Sequence, residues 1–133
     1  MDTCEKEDIR LLGAPMTGEV LRCAMAVHQE LGPGLLESAY QAAMQRELPL
    51  AGLRVLAEVP VDLDYKGVAV GCDYRADMLV EQKLLLELKT VERILPIHQA
   101  QLLTYMKLAR IRVGLLINFN SVHLRDGLKR LVI

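Results

Sequence analysis

The 133-residue sequence predicts an α/β domain with a mixed β-sheet flanked by helices, and three observations carry that expectation. Apolar residues recur at helical spacing in the first part of the chain, and helix formers fill the segment after Pro96. Between these stretches, from Leu53 to Leu63, the pattern changes to alternation, the period of a half-buried strand. The run Leu84 to Leu88 is then apolar on both faces apart from Glu87, as expected of a strand central in its sheet.

The elements follow in order. Residues 1–16 carry no sustained period, end at Pro15-Met16, and predict a flexible N-terminal tail ahead of a single domain over 17–133. Thr17 is placed as an N-cap. Val20, Leu21, Ala24, Val27, His28 and Leu31 then form a helical stripe, which Gly32-Pro33-Gly34 stops. A second helix carries Ala39, Ala43 and Met44 and should end near Glu47 to Pro49. In the first strand, Val55, Ala57, Val59, Val61 and Leu63 fall on one side, with Glu58, Asp62 and Asp64 on the other. Tyr65-Lys66-Gly67 reads as a hairpin turn and Val68 to Tyr74 as the returning strand, bending on through Asp77 to Val80. Glu81-Gln82-Lys83 is a second turn, followed by a strand from Leu84 to Lys89. Pro96 opens a third helix, Val113 to Asn118 is a buried strand, and Gly127 to Ile133 is a last one.

Bulk composition narrows the function classes. A chain of this length, 52% hydrophobic and 25% charged with no linker-like segment, fits one globular core. Cys4, Cys23 and Cys72 are odd in number and too scattered for a zinc site or a disulfide framework, so reduced thiols in a cytoplasmic protein are expected. The acidic start M-D-T-C-E-K-E-D lacks an apolar signal core, and no run approaches a membrane span, so no membrane partner is expected. Four Tyr, one Phe and no Trp leave little for extensive base stacking. The net charge of −1 is unevenly spread: residues 1–66 hold six Lys/Arg against eleven Asp/Glu, residues 67–133 ten against six. Lys107, Arg110, Arg112, Arg125, Lys129 and Arg130 could present a phosphate-binding face or an ordinary solvated surface. Rossmann and P-loop functions lack their glycine patterns here.

The chemistry-bearing residues lie in the apolar middle of the chain. Strand alternation puts Glu87 and Lys89 on one face, and if the preceding hairpin pairs Asp77 close to Glu87, two carboxylates converge beside an ammonium. Two buried carboxylates repel and raise a pKa unless a cation neutralises them, and a hard oxygen site with few protein ligands suits Mg²⁺, with Mn²⁺ as a substitute. The plainer alternative is a Glu87–Lys89 salt bridge at a strand end, with Asp77 capping a turn.

Further motifs carry a resemblance. D-M-L-V-E-Q-K-L-L-L-E-L-K resembles the D…(D/E)-x-K core of the PD-(D/E)XK nuclease superfamily, and G-L-L-E-S-A-Y (34–40) matches the signature of its bacterial GxxExxY branch. V-H-Q-E-L-G-P-G, Y-R-A-D, Q-L-L-T-Y and G-L-L-I-N-F-N extend the similarity from about Thr17 to the C-terminus. It implies a restriction-endonuclease-like core of helix, three strands, helix and strand. Catalytic roles fall to Asp77, Glu87 and Lys89, and metal ligation to Asp77, Glu87, the Leu88 carbonyl and Glu37. Gln101 and Tyr105 fit the Q-x-x-x-Y motif of RecB-like members and would position the site or the substrate. His28 and His98 are read as packing or surface residues.

The resulting expectation is a Mg²⁺-dependent nuclease acting on nucleic acid, with DNA as the expected substrate. The competing readings are a catalytically silent binding or assembly module with a nuclease fold, and a phosphodiesterase for a small nucleotide. The apolar ending L-V-I offers a contact for a homodimer.

Overall fold

The computed structural model describes residues 14–71 and 74–133, so Cys4, Cys72 and most of the expected tail lie outside the described residues. Among the described residues, helices α1 (Ala14–Leu31) and α2 (Glu37–Leu50) come first, then β1 (Val55–Pro60) and the short strands β2 (Asp64–Tyr65) and β3 (Val68–Ala69). β4 (Arg75–Val80), β5 (Leu84–Lys89), α3 (Pro96–Ala109), β6 (Val113–Asn118) and β7 (Leu128–Val132) complete the chain, with one 3₁₀ turn at Leu124–Gly127. β1, β4, β5, β6 and β7 form a mixed sheet in that order, and β2 and β3 form a separate ribbon. Only β5 and β6 pair in parallel, through the crossover helix α3. No described helix is long and apolar enough to cross a membrane.

Two cores sandwich the sheet. Val20, Ala24 and Val27 of α1 and Tyr40, Met44 and Leu48 of α2 pack on Met78, Val80, Leu84, Leu86, Leu88, Leu115 and Ile117. On the other face Leu102, Tyr105 and Met106 of α3 pack on Leu79, Leu85 and Leu116. α3 sits close because β6 carries a glycine beneath it: a Cβ on Gly114 would lie 2.5 Å from the Met106 sulfur and 3.2 Å from Leu102.

Three local expectations are corrected. α1 begins at Ala14, so Thr17 is a buried residue of the helix and not its cap; Pro15 falls in the first turn, where its missing N–H costs nothing. Of the expected strand from Val68 to Tyr74, Val68–Ala69 form the ribbon with Asp64–Tyr65, closed by Lys66 and Gly67 at φ 50° and 82°, Cys72 and Asp73 lie outside the described residues, and β4 starts at Arg75. The third concerns β1, where Val55, Ala57, Val59 and Val61 do not share one side. Val55 and Ala57 pack on the α1/α2 core, whereas Val59 and Val61 belong to the α3 core. Between them Glu58 adopts φ 53°, a left-handed conformation that turns the strand over without inserting a residue. β4 turns with it: Met78 and Val80 serve the first core, Ala76 the second.

Candidate active site

The turnover of β1 and β4 opens the sheet where the predicted residues meet. The β1–β4 ladder skips Glu58 and Asp77, which stand opposite each other, and the β4–β5 ladder stops at Met78↔Leu86, one step short of Asp77 and Glu87. Side chains replace the missing ladder bonds. The Asp77 N–H donates to Glu87 Oε1 at 2.9 Å, and the Leu88 N–H donates to Asp77 Oδ2 at 2.7 Å. The two carboxylates thus clasp across a splayed strand pair, each satisfied by a backbone donor of the opposite strand. Asp77 therefore caps no turn.

Burial shapes the electrostatics. Glu87 is 5% exposed. Desolvation, and then the Asp77 carboxylate, push its pKa up to about 8. Burial also raises Asp77, opposed by the Leu88 N–H and by Lys89. Lys89 is half-buried and in electrostatic range of Glu37, Asp77 and Glu87, yet the ion pairs among the described residues, Arg22–Glu19 and Arg54–Glu81, do not include it. The Glu87–Lys89 salt bridge is not made.

Glu37 approaches from α2. It is the first residue of that helix, where the positive end of the helix dipole favours a carboxylate, and burial followed by the Asp77 charge raises its pKa. Its placement depends on Gly34 and Tyr40. Gly34 takes φ +99°, which a side chain would strain. The buried Tyr40 hydroxyl donates to the Gly32 carbonyl at 2.5 Å and accepts from the Leu35 N–H at 3.1 Å, tying the loop down one turn from Glu37. The Tyr40 ring stacks on Phe119, 4.6 Å between centroids.

On the opposite side, Gln101 Nε2 donates to the Tyr105 hydroxyl at 3.3 Å, so this pair shares one face of α3 as its spacing predicts. Burial and then the Glu87 charge raise the Tyr105 pKa, placing its hydroxyl in range of the clasp. His98 accepts at Nδ1 from the Leu95 N–H and caps α3, and His28 Nε2 bonds the Ser121 carbonyl between α1 and the loop after β6. Both act in packing and capping.

Sequence reasoning missed three contributors. Glu58, left on the solvent side of β1, faces Asp77 in register and is held by Gln41 Nε2 at 2.8 Å. Tyr74 lies beside Tyr105, 6.3 Å between ring centroids. Asn118, 2% exposed and in register with Lys89, accepts from the Val91 N–H and donates to its carbonyl, while the Phe119 N–H bonds the Lys89 carbonyl. The chain leaving Lys89 is thereby pinned. The signal for Asn118 was a polar residue ending an apolar strand; Tyr74 stood in the Y-R-A-D motif without an assigned role, and Glu58 gave none.

Two carboxylates beside a strand-end backbone form a small set of hard oxygen donors, which fits a cation such as Mg²⁺ that keeps waters and substrate oxygens in its shell. Among the described residues no three of His, Cys, Asp and Glu are gathered as one metal-holding group, so Glu37 is not drawn in beside Asp77 and Glu87 as a third close ligand. The description of the PD-(D/E)XK nuclease superfamily matches residues 14–131, nearly the whole described domain, and the chain belongs to that superfamily. The mixed sheet flanked by three helices is the fold expected of a member. Comparison with the curated proteins and with the solved structures found no match.

Proposed function

We propose that the protein is a Mg²⁺-dependent nuclease of the GxxExxY branch that hydrolyses phosphodiester bonds in DNA, with Mn²⁺ able to substitute. The observation that carries this reading is the clasp of Asp77 and Glu87 across the splayed strands, with Lys89 two residues on and free of ion pairs among the described residues. Asp77, Glu87 and the Leu88 carbonyl would hold the cation, with Glu37 joining its shell from α2. When bound, the cation supplies Lewis-acid stabilisation of charge on the phosphoryl oxygens. Lys89 orients the attacking water and offsets charge developing on phosphorus. Gln101 and the Tyr105 hydroxyl position the strand at the rim.

The test is a cleavage panel of single-stranded, duplex, flapped and branched DNA and RNA with Mg²⁺ or Mn²⁺, run beside calorimetry of the metal alone. Cleavage lost on chelation and in Asp77→Ala, with folding retained, supports the reading. Failure to bind millimolar metal together with no cleavage of any substrate would instead favour a binding or assembly module.

A further inference from the structure

We propose that Tyr74, its ring backed by the buried Tyr105, forms a stacking surface for an unpaired base, so that the site takes its nucleic acid as a single strand or a frayed end in preference to intact duplex. This rests on the nuclease reading and names the substrate class of the same site.

The five aromatic residues are unevenly distributed. Tyr40 and Phe119 are fully buried against each other. Tyr74 and Tyr105 lie on the segments that border the clasp, whereas Tyr65 is on the separate β2–β3 ribbon. Tyr74 directly precedes Arg75, which pairs with Pro60 two residues outward from Asp77. Its carbonyl accepts from the Val61 N–H at 2.9 Å, which fixes the backbone there. Its ring remains 44% exposed although it sits 6.3 Å from the Tyr105 ring at 54°. An exposed ring held against a hydroxyl that faces the carboxylates is a π-surface at the mouth of a phosphodiester site.

The neighbouring charges suit a strand passing over it. Arg75 is exposed, its guanidinium only weakly engaged with the Glu58 carbonyl at 3.4 Å, and Lys89 carries no ion pair among the described residues. A ring presents its face only to a base that has left its own stack, and sequence-tolerant stacking of this kind is how single strands are gripped. One exposed ring supplies one nucleotide, with Tyr105 buried behind it as its support.

The experiment uses the full chain with Ca²⁺ replacing Mg²⁺, an oligothymidine carrying one 2-aminopurine, and a blunt hairpin duplex. Wild type should bind the single strand more tightly than the duplex and alter the 2-aminopurine fluorescence. Tyr74→Ala should weaken single-strand binding roughly ten-fold and abolish the fluorescence change, while Tyr74→Phe, which keeps the ring, restores both. With Mg²⁺, Tyr74→Ala should raise KM on the single strand and leave kcat within about three-fold of wild type, a split that a folding defect would not produce. Equal binding and cleavage of duplex and single strand, with Tyr74→Ala like wild type, overturns the platform and leaves the nuclease intact. Absence of any cleavage by wild type overturns the nuclease reading, while the Ca²⁺ binding arm still decides the platform.

Discussion

Glu87 keeps a proton that an ordinary glutamate loses well below neutral pH, because burial and the facing Asp77 carboxylate hold its pKa near 8. Between about 4.5 and about 8 the folded metal-free protein therefore binds more protons at this residue than the unfolded chain, so stability falls as pH rises through that window. Asp77 and Glu37 are shifted in the same direction. Glu87→Gln should flatten most of the slope and raise metal-free stability at pH 8 by on the order of a few kcal/mol, read as thermal midpoints in chelator across pH 5 to 8. The same substitution should abolish divalent-cation binding, so the most stable variant would be the inactive one. Tyr40→Phe is the second prediction at this scale. It keeps the stack on Phe119 but leaves the Gly32 carbonyl and Leu35 N–H without their partner. We expect a loss of about 1–2 kcal/mol by denaturant titration, accompanied by reduced cleavage as the loop before Glu37 loosens.

At the scale of elements, the junction between β6 and β7 is the least forgiving. A Cβ on Gly127 would meet the Ser121 hydroxyl at 2.3 Å and the Asn118 backbone carbonyl at 2.6 Å, and backbone cannot swing aside as a side chain can. Gly127→Ala should cost about 1–3 kcal/mol and lower the midpoint by several degrees in calorimetry. Because Asn118 also pins Val91 behind Lys89, cleavage should fall with it. The elements also show where sequence is legible. Leu84–Lys89 and Val113–Asn118 are read at their observed bounds because a short apolar run with both faces buried has few alternatives, and the Asp77–Glu87 adjacency followed from a tight hairpin and the two-residue period. The reversal of β1 at Glu58 was not legible: a left-handed glutamate is selected by tertiary packing, and nothing in its local pattern distinguishes it from a solvent-facing strand residue. The reciprocal backbone clasp was hidden for the same reason, since it arises where the twisted strands part. Thr17 misled because capping preference is a local rule, whereas Pro15 permits the helix to start earlier.

Across the whole molecule, one basic cluster stands apart from the chemistry, whereas Lys129 of β7 pairs with Leu116, level with Glu87. Lys107, Arg110 and Arg112 cluster near the start of β6, whereas the clasp and Lys89 lie toward the other end, in register with Leu116 and Asn118. Five residues of strand, about 17 Å, part Val113 from Asn118. Replacing Lys107, Arg110 and Arg112 together by Ala should therefore leave kcat within about two-fold and affect chiefly the salt dependence of binding. Closer to the site, the fold brings together a helix start, two splayed strands and one face of the crossover helix, from parts of the chain that no local pattern links.

The measurement that bears most directly on this arrangement is single-turnover cleavage of DNA by Lys89→Ala beside wild type in Mg²⁺, with metal affinity taken by calorimetry on the same preparations. The account predicts cleavage reduced at least a hundred-fold, with the thermal midpoint and metal binding close to wild type. Undiminished cleavage by Lys89→Ala would contradict it.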